Sequence, residues 1–192
     1  MVRSIHLFLC NKYGLKSSKR IRLHSITEIL ANKNVEIRVD TRVKTDVKIP
    51  HDRPDILVLD KVKNEAIIIE VGITSQDRLK TYETEKLHKY DFLASEISSL
   101  HKCPTKIIPY VMTWDGIVTK CHKSYVSQLG LSPNVESYIQ TRVLKKTLET
   151  VSLEARRSIF DEAGDSERLE KALERMLERN PFAVDDSVGK QE

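Results

Sequence analysis

The stretch Arg53-Pro54-Asp55-Ile56-Leu57-Val58-Leu59-Asp60-Lys61-Val62-Lys63-Asn64-Glu65-Ala66-Ile67-Ile68-Ile69-Glu70-Val71 decides the reading of this chain. Two apolar runs, 56–59 and 66–69, read as strands, and the polar connector Lys61-Val62-Lys63-Asn64 has the length and chemistry of a hairpin loop. Symmetric pairing about that connector sets Asp60 against Glu65, Leu59 against Ala66 and Asp55 against Glu70. Directly opposed residues of an antiparallel pair hold their Cβ atoms about 4.5–5.5 Å apart, and like charges there are destabilising. Two carboxylates so placed beside buried strands call for a cation between them. The register alone therefore argues a metal site.

Residues 79–100 read as one helix. At about 100° per residue, Leu79, Tyr82, Tyr90, Leu93, Ile97 and Leu100 share a face, and Lys86 and Lys89 fall on that same face. A lysine is ordinarily a solvated surface residue. Here the stripe that holds Lys86 is the one the helix must bury, and an unpaired buried ammonium is costly. Asp55 and Glu70 are the obvious counter-ions. The plain alternative is a structural ion-pair cluster, since such clusters occur without function.

Outside this core the chain sets broad limits. Its 192 residues suit one domain plus an appendage. No apolar run approaches the length that spans a bilayer, so an integral membrane protein is not expected. The N-terminal Met1–Cys10 segment has a basic start but lacks a cleavage site, so no signal peptide is expected. The three cysteines, Cys10, Cys103 and Cys121, are widely spaced and point to a reducing, intracellular setting. His6 and Cys10 stand four apart and Cys121 adjoins His122, but no Cys-x-x-Cys unit exists, so a structural zinc site is not expected.

Charge divides unevenly. Lys and Arg outnumber Asp and Glu by 22 to 15 through residue 134, and the balance reverses to 10 against 13 beyond it. The positive part suits a polyanionic partner. Lys16, Lys19, Arg20 and Arg22 cluster before an expected helix, and Arg38, Arg42, Lys44 and Lys48 recur along an expected strand pair. Either set is equally consistent with a merely solvated face.

The expected order is a helix over 4–13 ended by Gly14, a second helix over 21–31, and an alternating strand over 35–39 that continues through 41–44. The hairpin and the lysine helix follow. An apolar strand over 106–112 comes next, with Pro109 favouring an edge, then a turn at Trp114-Asp115-Gly116 and a helix over 120–129 ended by Gly130. This is an α-β-β-β-α-β-α domain over residues 1–132. Beyond Pro133 the texture is helical to about residue 180, including an amphipathic helix over 165–179, and residues 181–192 are expected to be disordered.

The element order with Pro54-Asp55, Glu70 and Lys86 resembles the PD-(D/E)XK nuclease superfamily, and more closely the restriction-like endonuclease domain of site-specific non-LTR retrotransposons. The matching stretches are His6-Leu7-Phe8-Leu9-Cys10-Asn11-Lys12-Tyr13-Gly14-Leu15, Val39-Asp40, Arg53–Val58, Ile68-Ile69-Glu70, Glu85–Tyr90 and, more weakly, Lys106–Val111. The resemblance covers about residues 5–131. It implies a restriction-endonuclease-like core, with a mixed central sheet flanked by helices. Two departures stand out. The superfamily's lysine two residues after the second acid is replaced by Gly72, whereas in the retrotransposon branch that lysine has moved to the helix, where Lys86 fits. The second acid is Glu70, where that branch more often carries Asp. The zinc-knuckle cysteines and reverse transcriptase expected upstream are missing from this chain.

What the resemblance implies is a Mg²⁺-dependent DNA endonuclease, with Mn²⁺ able to substitute. Asp55 and Glu70 would hold the metal, with the Val71 carbonyl as a third ligand and Asp40 as an outer one, and Glu28 is a weaker candidate. Lys86 would orient water or counter transition-state charge, and Lys89 is a second cation. Tyr90 is expected to pack more than to react. Lys19, Arg20, Arg22 and Arg53 are the expected DNA contacts. The implied role is nicking DNA to prime reverse transcription, beside a reverse transcriptase domain or its RNA, in the nucleus of a eukaryote. A catalytically silent nucleic-acid-binding module on the same fold is the alternative.

Overall fold

The structure is a computed structural model that describes residues 1–16 and 21–154. In chain order its elements are α1 (Val2–Lys12), a 3₁₀ turn (Ile21–Leu23), β1 (Ile29–Ala31), β2 (Val35–Val39), β3 (Ile56–Asp60), β4 (Glu65–Thr74), α2 (Leu79–His88), α3 (Asp91–His101), β5 (Thr105–Thr113) and α4 (His122–Leu129). Residues 133–154 are helical and are called α5 here. The expected helix over 165–179 and the disordered segment over 181–192 lie outside the described residues.

The hairpin forms in the expected register. β3 pairs antiparallel with β4 through Asp60↔Glu65, Leu59↔Ala66 and on to Ile56↔Ile69. Local chemistry closes its turn: Asp60 Oδ1 accepts the Val62 and Lys63 N–H groups at 3.1 and 2.9 Å, and Asn64 adopts a positive φ of 52°. β4 then runs well beyond the hairpin and pairs in parallel with β5, which places Pro109 beside Glu70. Among the described residues the sheet order is β1-β2-β3-β4-β5, so β5 is an edge, where the donor that proline lacks is tolerated. The protein is thus an α/β fold: a mixed five-stranded sheet flanked by helices.

Alternation along the strands builds two cores. On one face Ile5, Leu9 and Cys10 of α1 pack with Ile37, Ile56, Ile67, Ile69, Tyr110, Leu129 and, from α5, Ile139 and Val143. On the other, Leu57, Leu59, Ala66 and Ile68 meet Tyr90, Leu93, Ile97 and Val43. The compact unit that contains the sheet runs from Met1 to Thr147, and α5 contributes Ile139 and Val143 to its core. Leu148–Glu192 form a second unit, whose described residues 148–154 are helical.

Three expectations about elements fail, each for a tertiary reason. The helix over 21–31 is instead a 3₁₀ turn and the short strand β1. Ile26, Ile29 and Leu30 have helical spacing, but β1 pairs Ile29 with Arg38 and Leu30 with Ile37, and a short apolar pattern does not distinguish helix from strand. The strand expected over 41–44 is not formed. Asp40 takes a left-handed φ of 48° and ends β2, after which Val43 turns into the second core. The single helix over 79–100 is two helices, broken at Lys89 and Tyr90, and the break leaves Leu100 exposed rather than on the buried face.

Candidate functional site

The open end of the hairpin sets the two acids. Asp55 precedes β3 by one residue, and its Oδ2 accepts the Val71 N–H at 2.7 Å. The ladder itself ends at Ile56↔Ile69, and this side-chain bond holds Asp55 beside the end of the pair, where the Glu70 charge acts on it. Both carboxylates share the parity of Leu57 and Ile68, so both belong to the face covered by α2 and α3. Glu70 is buried, at 3% exposure, and Asp55 is half-buried.

The lysines arrive from the break between α2 and α3. Lys86 Nζ donates to Glu70 Oε1 at 2.6 Å, and Lys89 Nζ donates to the same oxygen at 2.8 Å. Tyr90, 1% exposed, donates its hydroxyl to the Arg53 carbonyl at 3.1 Å, tying the break to the segment that precedes Asp55. Tyr90 therefore packs and positions, and burial with the Glu70 charge beside it raises its pKa.

Gly72 explains why the cation comes from a helix. A Cβ added at Gly72 would lie 2.5 Å from Tyr82 Cε1. The Tyr82 ring occupies the space that a lysine at this position would need. Lys86 Nζ in turn sits over that ring, 5.3 Å from its centroid.

Electrostatics divide the two acids. Burial is the largest influence on Asp55 and, with the Glu70 charge, outweighs the Val71 N–H and raises its pKa. Burial also opposes the Glu70 charge, but hydrogen bonds from Lys86 and Lys89 overcome it and lower the pKa. Burial disfavours the Lys86 ammonium, yet Glu70 outweighs it and holds that pKa high. Among the described residues Glu70 Oε2 is buried without a partner at hydrogen-bond geometry, although the Tyr90 hydroxyl lies near enough to the carboxylate to feel it. An acid with one oxygen doubly engaged and the other unpaired has donor capacity left over.

Other expected site residues are placed elsewhere or lie outside the described residues. Asp40 carries its side chain outward at 68% exposure, where its Oδ1 meets Arg53 Nε at 2.8 Å. It is therefore committed to Arg53 and forms no three-acid group with Asp55 and Glu70. Glu28 is exposed in the loop before β1, not on a helix. Arg22 lies in the 3₁₀ turn, and Lys19 and Arg20 lie outside the described residues. Arg38 pairs with Glu36 and Arg42 with Asp52, so part of the basic series is locally neutralised.

One grouping was not legible in the sequence. Among the described residues, His6, Cys10 and His24 are the set of three or more metal-ligating residue types whose ligand atoms lie within 4.8 Å of one another. The spacing of His6 and Cys10 was visible, but His24 reaches them only through the folded turn.

No protein-family model matches the chain, and no curated protein matches it. Among solved structures the chain is similar to an N-terminal domain of a reptarenavirus L protein, at 17% identity over 77% of this chain and 74% of that chain, with a TM-score of 0.32. A likeness of that size carries no argument, and the site is read from its own residues. No helix among the described residues is long and apolar enough to cross a membrane.

Proposed function

We propose that this chain is a metal-dependent DNA endonuclease on a restriction-endonuclease-like core, derived from a non-LTR retrotransposon. The observation that carries the reading is a buried Glu70 beside a half-buried Asp55 at a hairpin end, with two lysines on one Glu70 oxygen and, among the described residues, no hydrogen-bond partner on the other. All-oxygen donors suit Mg²⁺, with Mn²⁺ able to replace it. Asp55 and Glu70 would hold the ion, with the Val71 carbonyl as a further donor. Bound there, it would supply positive charge to a phosphodiester and lower the pKa of a water.

The chain's own groups have distinct tasks. Asp55, whose pKa burial raises, would be favoured as the carboxylate by a bound cation. Lys86 keeps its proton because Glu70 stabilises the ammonium, so it offers fixed positive charge to the phosphate rather than a base. Lys89 adds a second cation, and Tyr90 fixes the helix break that delivers both. Arg53 and Arg22, with Lys19 and Arg20, are proposed phosphate contacts along duplex or branched DNA. The nicked product would expose a 3′ hydroxyl to prime a reverse transcriptase in the nucleus of its host.

A nicking assay with Mg²⁺ or Mn²⁺ on the wild type, Asp55→Ala and Lys86→Ala tests this. Cleavage by the wild type alone is expected, and equal activity in all three overturns the assignment.

One observation favours the second reading, a catalytically silent DNA-binding module. Two lysines on one oxygen of Glu70 leave the four-residue cluster formally neutral without any metal. Calorimetry separates the readings: DNA binding with no Mg²⁺ or Mn²⁺ heat supports the silent module.

A further inference from the structure

α1 carries His6 and Cys10 one turn apart, a spacing that puts both on one side of the helix. The segment just after the 3₁₀ turn brings His24 against them. All three are interior: His6 and Cys10 are 0% exposed and His24 is 5% exposed. His6 Nδ1 and His24 Nε2 stand 3.0 Å apart, with ring centroids at 4.9 Å. One ligand atom from each residue falls within 4.8 Å of the other two. This cluster shares no residue with the Asp55–Glu70 site, so it stands or falls independently of the nuclease reading.

Two neutral imidazoles at this distance share a single proton in one hydrogen bond. Burial raises the Cys10 thiol, although the nearby Lys16 charge works the other way.

We propose that His6, Cys10 and His24 bind one zinc ion, which clasps α1 to the segment following the 3₁₀ turn and leaves a fourth position for water or an exogenous ligand. One thiolate and two imidazoles suit zinc and not Mg²⁺ or Ca²⁺, which take oxygen donors. Zinc–nitrogen bonds of about 2.0–2.1 Å in a tetrahedron hold two nitrogens roughly 3.3 Å apart, close to the observed pair. On binding, Cys10 loses its thiol proton to solvent. The proton shared between the rings moves to the outward nitrogen of its own ring, so one proton is released per metal.

The test uses the full chain, assayed for metal content as purified and then titrated with Co²⁺ after zinc removal. One equivalent of zinc is expected, and Co²⁺ should give a thiolate-to-cobalt charge-transfer band with tetrahedral visible bands. Cys10→Ser should lose the charge-transfer band, and His24→Ala should weaken Co²⁺ binding about 100-fold or more. His24 lies outside the sheet core, so its variant reports even if substitutions in α1 fail to fold. Cys121→Ser should change nothing, because Cys121 is exposed and elsewhere. A folded wild type with no band at equimolar Co²⁺ overturns the proposal, as does a band that survives Cys10→Ser but is lost in Cys121→Ser.

Discussion

Two glutamates of the interior, Glu70 buried and Glu136 half-buried, end up with different hydrogen-bond partners. Glu136 of α5 has both oxygens satisfied: Oε1 meets His122 Nε2 at 2.6 Å, and Oε2 accepts the Tyr110 hydroxyl at 2.6 Å. Glu70 has one oxygen shared by two lysines and the other, among the described residues, without a partner at hydrogen-bond geometry. In both, burial opposes the charge, and hydrogen-bond donors overcome it to lower the pKa. What differs is the remainder. Glu136, with both of its oxygens engaged, joins α5 to β5 and α4. Glu70 keeps an acceptor beside a second acid, which is the arrangement a cation can complete.

The widest gap between these regions should appear in catalysis. Asp55→Asn and Glu70→Gln are expected to lower Mg²⁺-dependent nicking by about 10²-fold or more, while Glu136→Gln leaves it within a few-fold; a nicking defect in Glu136→Gln at full folding would erase the distinction. Stability should respond at both sites. Tyr110→Phe removes the hydrogen bond to the half-buried Glu136 and is expected to cost about 1 kcal/mol in urea unfolding, and Glu70→Gln is expected to cost more, because it leaves the Lys86 and Lys89 ammonium groups without their counter-charge.

Gly72→Ala sharpens the account of the lysine. The added methyl meets Tyr82 at 2.5 Å and must displace the ring on which Lys86 rests, for an expected loss of about 1–3 kcal/mol together with reduced nicking. A neutral Gly72→Ala would show that Tyr82 is free to move.

The smallest effect is in pH. Glu136 has a folded pKa below its ordinary 4.5, so its contribution is present above that value and lost as pH falls through the folded pKa. The stability difference between wild type and Glu136→Gln should therefore be constant near neutrality and shrink below about pH 4.5 in thermal melts. Asp55 runs in the opposite sense. Its raised pKa makes the folded state favour the protonated acid, so without metal its contribution declines as pH rises.

Much of the site lay in local pattern. The connector 61–64 and two apolar runs admit one symmetric register, and a slip of one residue would turn every buried side chain to the other face. Asp55 and Glu70 follow from that register without knowledge of the rest. Lys86 is part-buried, but not on the single 79–100 stripe from which its burial is expected, because that helix is broken. The break at Lys89 and Tyr90 was not legible, because no proline or glycine marks it. At the break Tyr90 donates to the Arg53 carbonyl, a contact between segments distant in sequence.

The sequence by itself determined the β3–β4 hairpin, its register and the charge of the residues at its open end, because pleat and helix periods act over a few residues. Tertiary structure decided that residues 29–31 are a strand, that Asp40 is claimed by Arg53, that both lysines share one oxygen of Glu70, and that His24 meets His6 and Cys10. Each of those outcomes is a competition between partners far apart in the chain, which packing settles and local propensity does not.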